Sequence, residues 1–218
     1  MAEDDCLVVC ADIGSVPNRK FAWAASTGET EESIDDLAAR VAEALASGRL
    51  VALGFECPGW VPVPTISADL GRGRAGEGGH PWSGGPGAAV LATGLAQISW
   101  ILRAVNQPHL GISATTVRTA WGEDRPLLLW EAFVAGDRKP GDGAGGHKAD
   151  AAAGVEAFLC GTTLAQTPDE HNSTSEATEG SPLNVLALLA SWARLNIDEA
   201  EQRQDFPIYA PSRPEKGQ

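Results

Sequence analysis

Three short apolar runs, each carrying an acid at or near its end, most constrain what this chain can fold into. They are Cys6-Leu-Val-Val-Cys-Ala-Asp12, Leu50-Val-Ala-Leu-Gly-Phe-Glu56 and Leu127-Leu-Leu-Trp-Glu-Ala-Phe-Val134. Each is too brief for an ordinary helix, and each is read as a buried strand. A carboxylate at the end of a buried strand is expensive to desolvate and needs a cation or a hydrogen-bond donor. Asp12 is followed by Ile13-Gly-Ser15, which turns the chain, and Glu56 by Cys57-Pro-Gly-Trp60, a rigid break of the same kind. A second strand, Arg19–Ser26, follows the first at hairpin distance across Val16-Pro17-Asn18.

Helical patterns alternate with these strands. Ser33 is placed to cap a helix carrying Leu37, Val41, Ala44 and Leu45, which Gly48 ends. Ala88–Val105 is a long helix rich in small residues, and Ile112–Val117 is read as a short edge strand. His147–Leu159 is a helix with an alanine-rich face. Asp150 is expected in its first turn, where the dipole favours an anion, with His147 three residues earlier on the same side. Pro182–Leu195 is read as a last helix with Pro182 in its first turn. The tail from Ile197 is charged and Pro-punctuated, and is expected to be ill-ordered at its end. The expected fold is α/β, with a mixed central sheet and helices on both faces. Residues 1–165 would form its core, 166–181 a polar linker or surface loop, and 182–218 a helix and tail packed on the same domain.

Between the Leu50–Glu56 strand and the long helix, residues 65–87 form a Gly-rich loop. Its stretch Gly71–Gly87 is basic in an acidic protein, with Arg72, Arg74 and His80 against Glu77. Arg72 and Arg74 are therefore the expected substrate-binding residues, and Trp82 could stack on a base. The plainer reading is a surface loop with Trp82 tucked against the body. No Lys-Ser/Thr follows the glycines, so it is not a P-loop.

The chain carries a formal net charge of −13 and is 43% hydrophobic. The charge argues against a long duplex footprint, because such binding draws on neutralised phosphates. A small nucleotide or a single-stranded end stays compatible, with metal ions offsetting the protein's own acids. Cys6, Cys10, Cys57 and Cys160 lack paired zinc spacing and are expected as reduced core cysteines of a cytoplasmic protein. No run approaches 18 consecutive apolar residues, so no membrane span is expected, and the acidic opening does not resemble an export signal.

The order of elements, together with Ala11-Asp-Ile-Gly14, Gly54-Phe-Glu-Cys-Pro58, Leu129-Trp-Glu-Ala132 and His147-Lys-Ala-Asp-Ala-Ala-Ala153, resembles the RNase H-like fold. Within it, the chain is similar to the predicted RNase H-like nucleases over residues 5–160. Glu56 stands where that pattern more often has Asp, one methylene longer. The resemblance implies a metal-dependent nuclease in which clustered carboxylates hold Mg²⁺ or Mn²⁺ roughly 3.5–4 Å apart. Asp12 would bridge both ions, Glu56 and Glu131 would each hold one, and Asp150 would complete the second site. His147 or Lys148 would orient the nucleophile or meet a phosphate. The implied partner is nucleic acid (a single strand or an end) or a nucleotide.

Each acid also has a plain structural reading. Asp12 could cap its turn, Glu56 could bond the backbone of the Pro-Gly turn, and Asp150 could serve the helix dipole. Glu131 could be an exposed strand residue, since Trp130 and Glu131 must face opposite ways. Two other functions fit the sequence: a non-catalytic RNase H-like module binding a protein or nucleotide, and a sugar-kinase or actin-like phosphate-binding domain, for which 218 residues leave little room.

Overall fold

The fold was analysed in a computed structural model that describes residues 6–107, 111–140, 146–164 and 180–213. The elements run β1 (Cys6–Asp12), β2 (Ala22–Ala25), β3 (Thr30–Glu31), α1 (Ile34–Ala46), β4 (Leu50–Glu56), β5 (Trp60–Pro64), α2 (Gly85–Val105), β6 (Ala114–Thr115), β7 (Leu127–Ala132), α3 (Gly146–Cys160), β8 (Gly180–Asn184), α4 (Val185–Trp192) and β9 (Ile208–Tyr209). The main sheet is ordered β3-β2-β1-β4-β7-β6, with β9 also on β7. β1, β4 and β7 are parallel neighbours, and β2 and β3 extend the sheet antiparallel beyond β1. The molecule is thus the expected α/β fold with a mixed central sheet.

Alternation along the three parallel strands divides the core in two. Leu7, Val9, Ala11, Val51, Leu53, Phe55, Leu127 and Leu129 pack on one face, against α1, α2 and α4. Val8, Cys10, Ala52, Leu128, Trp130 and Ala132 pack on the other, against Ala151, Val155, Ala157 and Phe158 of α3. Ser33 caps α1 as expected, its Oγ accepting from the Asp36 amide at 3.1 Å.

Gly14 and Gly54 are among the glycines that close approach requires. At Gly14, in the turn after Asp12, a Cβ would lie 1.9 Å from the Lys20 carbonyl oxygen. At Gly54 a Cβ would lie 2.2–2.5 Å from ring carbons of Trp130, which stacks in turn on Phe158 with centroids 4.6 Å apart. Gly54→Ala is expected to lower stability by about 1–3 kcal/mol, as overpacking in a filled core does. A melting temperature equal to that of the wild type would contradict this packing.

The C-terminal third departs from expectation. Pro182 is not in a helix but in β8, which pairs antiparallel with β5, Pro62 opposite Pro182. The helix starts only at Val185, capped by Asn184, whose Oδ1 accepts from the Ala187 amide at 2.9 Å. Phe206, Ile208, Tyr209 and Ala210 are buried, and β9 joins the main sheet beside Glu131 and Ala132. A two-residue strand is invisible to periodicity; burial against β7 is what creates it. Most of the expected 166–181 linker, and the chain beyond 213, lie outside the described residues.

The four cysteines are unpaired; Cys10 and Cys57 are buried and Cys160 is exposed, so not all are core residues. Among the described residues one helix, α2, is long and apolar enough to cross a membrane by length and composition, with a mean hydropathy of 1.5. Here it lies on the sheet, with Ile98, Ile101, Leu102 and Val105 in the core.

Candidate metal centre

Asp12 ends β1 and Glu56 ends β4, and the parallel register sets the two side by side. Both leave the sheet on the side covered by α3, because they share parity with Cys10 and Ala52. α3 begins at Gly146, one residue before the expected start, so Asp150 lies past its first turn. The dipole reading of Asp150 therefore does not apply. The helix instead delivers Asp150 to the carboxyl ends of the parallel strands, the usual ligand position in open α/β sheets. One carboxylate oxygen each from Asp12, Glu56 and Asp150 falls within 4.8 Å of the other two, a trio able to hold a metal ion.

The trio is strained electrostatically. Burial pushes the Glu56 carboxyl well above the usual carboxylate range, and the nearby Asp12 charge pushes it further. Burial likewise raises Asp12, against the pull of a hydrogen bond from His147. Two groups offset the charge: His147 Nδ1 lies 2.5 Å from Asp12 Oδ2, and Lys139 Nζ pairs with Asp150 Oδ2. Burial works against the Lys139 ammonium, but the Asp150 hydrogen bond and the surrounding carboxylates outweigh it and raise its pKa. Glu56 Oε2 is enclosed and makes no hydrogen bond. An orphaned buried oxygen of this kind is costly unless something meets it.

Glu131 does not join the trio. Register pairs it with Phe55, whereas the position of β7 in line with Asp12 and Glu56 is Ala132. Its side chain consequently leaves on the opposite face, where both oxygens are occupied. Arg74 Nη2 donates to Oε1 at 2.6 Å, Arg74 Nη1 to Oε2 at 2.8 Å, and the Gly59 amide to Oε2 at 2.8 Å. The expected four-acid site is thus a three-acid site, and Glu131 is a structural anion.

The substrate-binding expectation for Arg74 fails for the same reason. Its side chain is 2% exposed, and its five N–H donors are all used: Nε on Glu77, Nη1 on Trp60 O and Glu131, Nη2 on Glu77 and Glu131. A guanidinium has no sixth donor for a phosphate. The Glu131 and Glu77 charges and hydrogen bonds outweigh burial and raise its pKa further, so it stays a cation. Arg72 pairs with Asp69 at 2.9 Å within the same loop, and Lys148 faces Glu32 at 3.6 Å, away from the trio. The Gly-rich loop is pinned, with Trp82 Nε1 donating to Arg72 O at 2.9 Å.

Of the residues expected from sequence, Asp12, Glu56, Asp150 and His147 come together, while Glu131, Arg72, Arg74 and Lys148 are engaged elsewhere. Lys139 was not anticipated as a site residue. Its one signal was position, in a loop leaving the carboxyl end of a parallel strand. Comparison with models of known protein families, with curated proteins and with solved structures returned no match.

Proposed function

We propose that the protein is a metal-dependent nuclease of RNase H-like architecture, working with Mg²⁺ or Mn²⁺ in the cytoplasm. The observation that carries the reading is the convergence of one oxygen each from Asp12, Glu56 and Asp150 within 4.8 Å of one another, together with the unpartnered Glu56 Oε2. The donor set fits the ion, since all-carboxylate sites suit hard divalent cations. The sheet order, with a β-hairpin followed by parallel strands on the other side of β1, supports the architecture. The unpaired cysteines support the compartment.

Asp12, Glu56 and Asp150 would hold the ion, which supplies positive charge for the phosphoryl and leaving oxygens of a phosphodiester. His147 fixes the orientation of Asp12 through the contact of its Nδ1 with Oδ2. Lys139 neutralises Asp150 and stands within reach of a phosphate brought to the trio.

The test is cleavage of end-labelled single-stranded and duplex DNA and RNA with Mg²⁺ or Mn²⁺, against chelator controls. Cleavage that stops on chelation is expected; intact substrates under every metal condition overturn the assignment. A non-catalytic module is the second reading, favoured by Lys139 and His147, which already compensate two acids without a metal. Calorimetry separates them, because a module of that kind takes up no Mn²⁺ at the trio.

A pH dependence follows from the raised carboxyls. Their folded-state pKa values exceed the unfolded ones. The metal-free fold therefore has its full share of this stability at low pH and loses it as pH rises through the folded values. Metal binding requires the ionised form and reverses the loss. At one fixed Mn²⁺ concentration the rise in melting temperature should be larger at pH 8 than at pH 5, and where that concentration is 100 times Kd the added stability should be about 2.7 kcal/mol. An increment independent of pH would argue against carboxylate ligation.

A further inference from the structure

Beside the trio lies a cavity of about 410 Å³ whose lining includes Asp12, Glu56, Lys139 and His147. Its remaining wall is largely apolar, formed by Ile13, Pro58, Trp82, Val90, Phe133 and Val134. We infer that this cavity seats the base of one unpaired nucleotide unit, so that the protein handles a nucleotide or the end of a single strand rather than continuous duplex. The inference rests on the nuclease reading for the phosphate end of the ligand and on the cavity alone for the base.

Four observations converge on that occupant. The volume falls within the roughly 300–1,000 Å³ of pockets that enclose a small molecule. The wall is apolar with an indole in it, and aromatic stacking holds a base without regard to its identity. The polar groups beneath it, Arg74, Glu77 and Glu131, satisfy one another and do not require a polar ligand. The fourth is charge. The chain carries −13, and the Gly-rich loop's Arg72 and Arg74 are held by Asp69, Glu77 and Glu131. A row of cations following several phosphates is what duplex binding draws on, and that loop does not supply one. A base enters such a cavity only when out of the stack, and an unpaired base pays least to get there.

The position of Trp82 is built, not incidental. Its amide donates to Glu77 Oε1 at 3.1 Å and its indole to Arg72 O at 2.9 Å, fixing the ring against the cavity. His80, on the same wall, packs so closely on Gly136 that a Cβ there would lie 2.8 Å from its Nε2.

The test is calorimetric titration of the full chain, with and without Mn²⁺, using dTMP, an eight-nucleotide dT single strand and a blunt duplex of equal length. Trp82→Ala removes the stacking surface, and Val90→Trp fills the cavity from α2. Mn²⁺ affinity is read in parallel. The expected result is binding of dTMP and of the single strand, weakened about tenfold or more by Trp82→Ala and removed by Val90→Trp, with Mn²⁺ affinity unchanged in both. Equal affinity for dTMP and the strand identifies a free nucleotide as the ligand; a tighter strand identifies an end. Duplex bound as well as the single strand, or binding indifferent to both variants, overturns the inference. Nucleotide binding without any Mn²⁺ uptake overturns the nuclease reading and leaves the cavity assignment standing. Mn²⁺ uptake without nucleotide binding does the reverse.

Discussion

Asp12→Asn is expected to reduce metal-dependent cleavage by on the order of 10²–10³-fold, the scale on which loss of one preorganised electrostatic group acts. The substitution keeps the shape of the side chain and removes the charge that faces Glu56 and Asp150. Its effect on stability should have the opposite sign. Three carboxylates within 4.8 Å repel one another, and burial has already pushed two of them up. Neutralising one relieves that repulsion, the usual trade between a strained site and a stable fold. The metal-free variant should therefore melt at or above the wild-type temperature while its Mn²⁺ affinity falls. An inactive variant that melts lower, with Mn²⁺ binding intact, would show that Asp12 is structural and would take the metal assignment with it.

Arg74→Ala is expected to be among the most destabilising single changes in the chain, by about 3–5 kcal/mol. Arg74 joins the Gly-rich loop to β7, with both partners, Glu77 and Glu131, almost fully buried. Removing the cation leaves two enclosed carboxylates without their main donor, and this stranded charge dominates the loss. The guanidinium also lies 5.0 Å from the Trp60 ring centroid, which lysine would not reproduce. Arg74→Lys should consequently recover only part of the loss, whereas adding Glu131→Leu to Arg74→Ala should recover more by removing one stranded anion. For a protein of this size 1 kcal/mol corresponds to roughly 2–4 °C in melting temperature, so the series is well resolved. Loss of less than about 1 kcal/mol in Arg74→Ala would mean the loop can open and solvate its acids.

The two variants separate chemistry from architecture at neighbouring positions in space. Asp12 and Glu131 both belong to parallel strands of one sheet, yet one faces two other acids and the other an arginine. Phase along the strand makes the difference: Asp12 aligns with Glu56, and Glu131 aligns with Phe55. A shift of one residue in β7 would turn Glu131 to the face of Asp12 and Glu56.

The amino-acid sequence by itself determined the three parallel strands and the main helices, because apolar runs of six or seven and periodic stretches of thirteen or more have few alternatives. It also determined that Asp12 and Glu56 stand at strand ends, since the Gly and Pro that follow them break the chain there. Tertiary structure alone decided which acids meet. Parity within β7 is known from sequence, but its register against β4 is fixed only when Gly54 receives the ring of Trp130. It alone turned Arg74 from a loop cation into a buried strut, because a guanidinium's partners come from segments far apart in the chain. And it alone made strands of Pro182 and of Ile208–Tyr209, where pairing and burial on a neighbouring strand outweigh the weak local preference of so few residues.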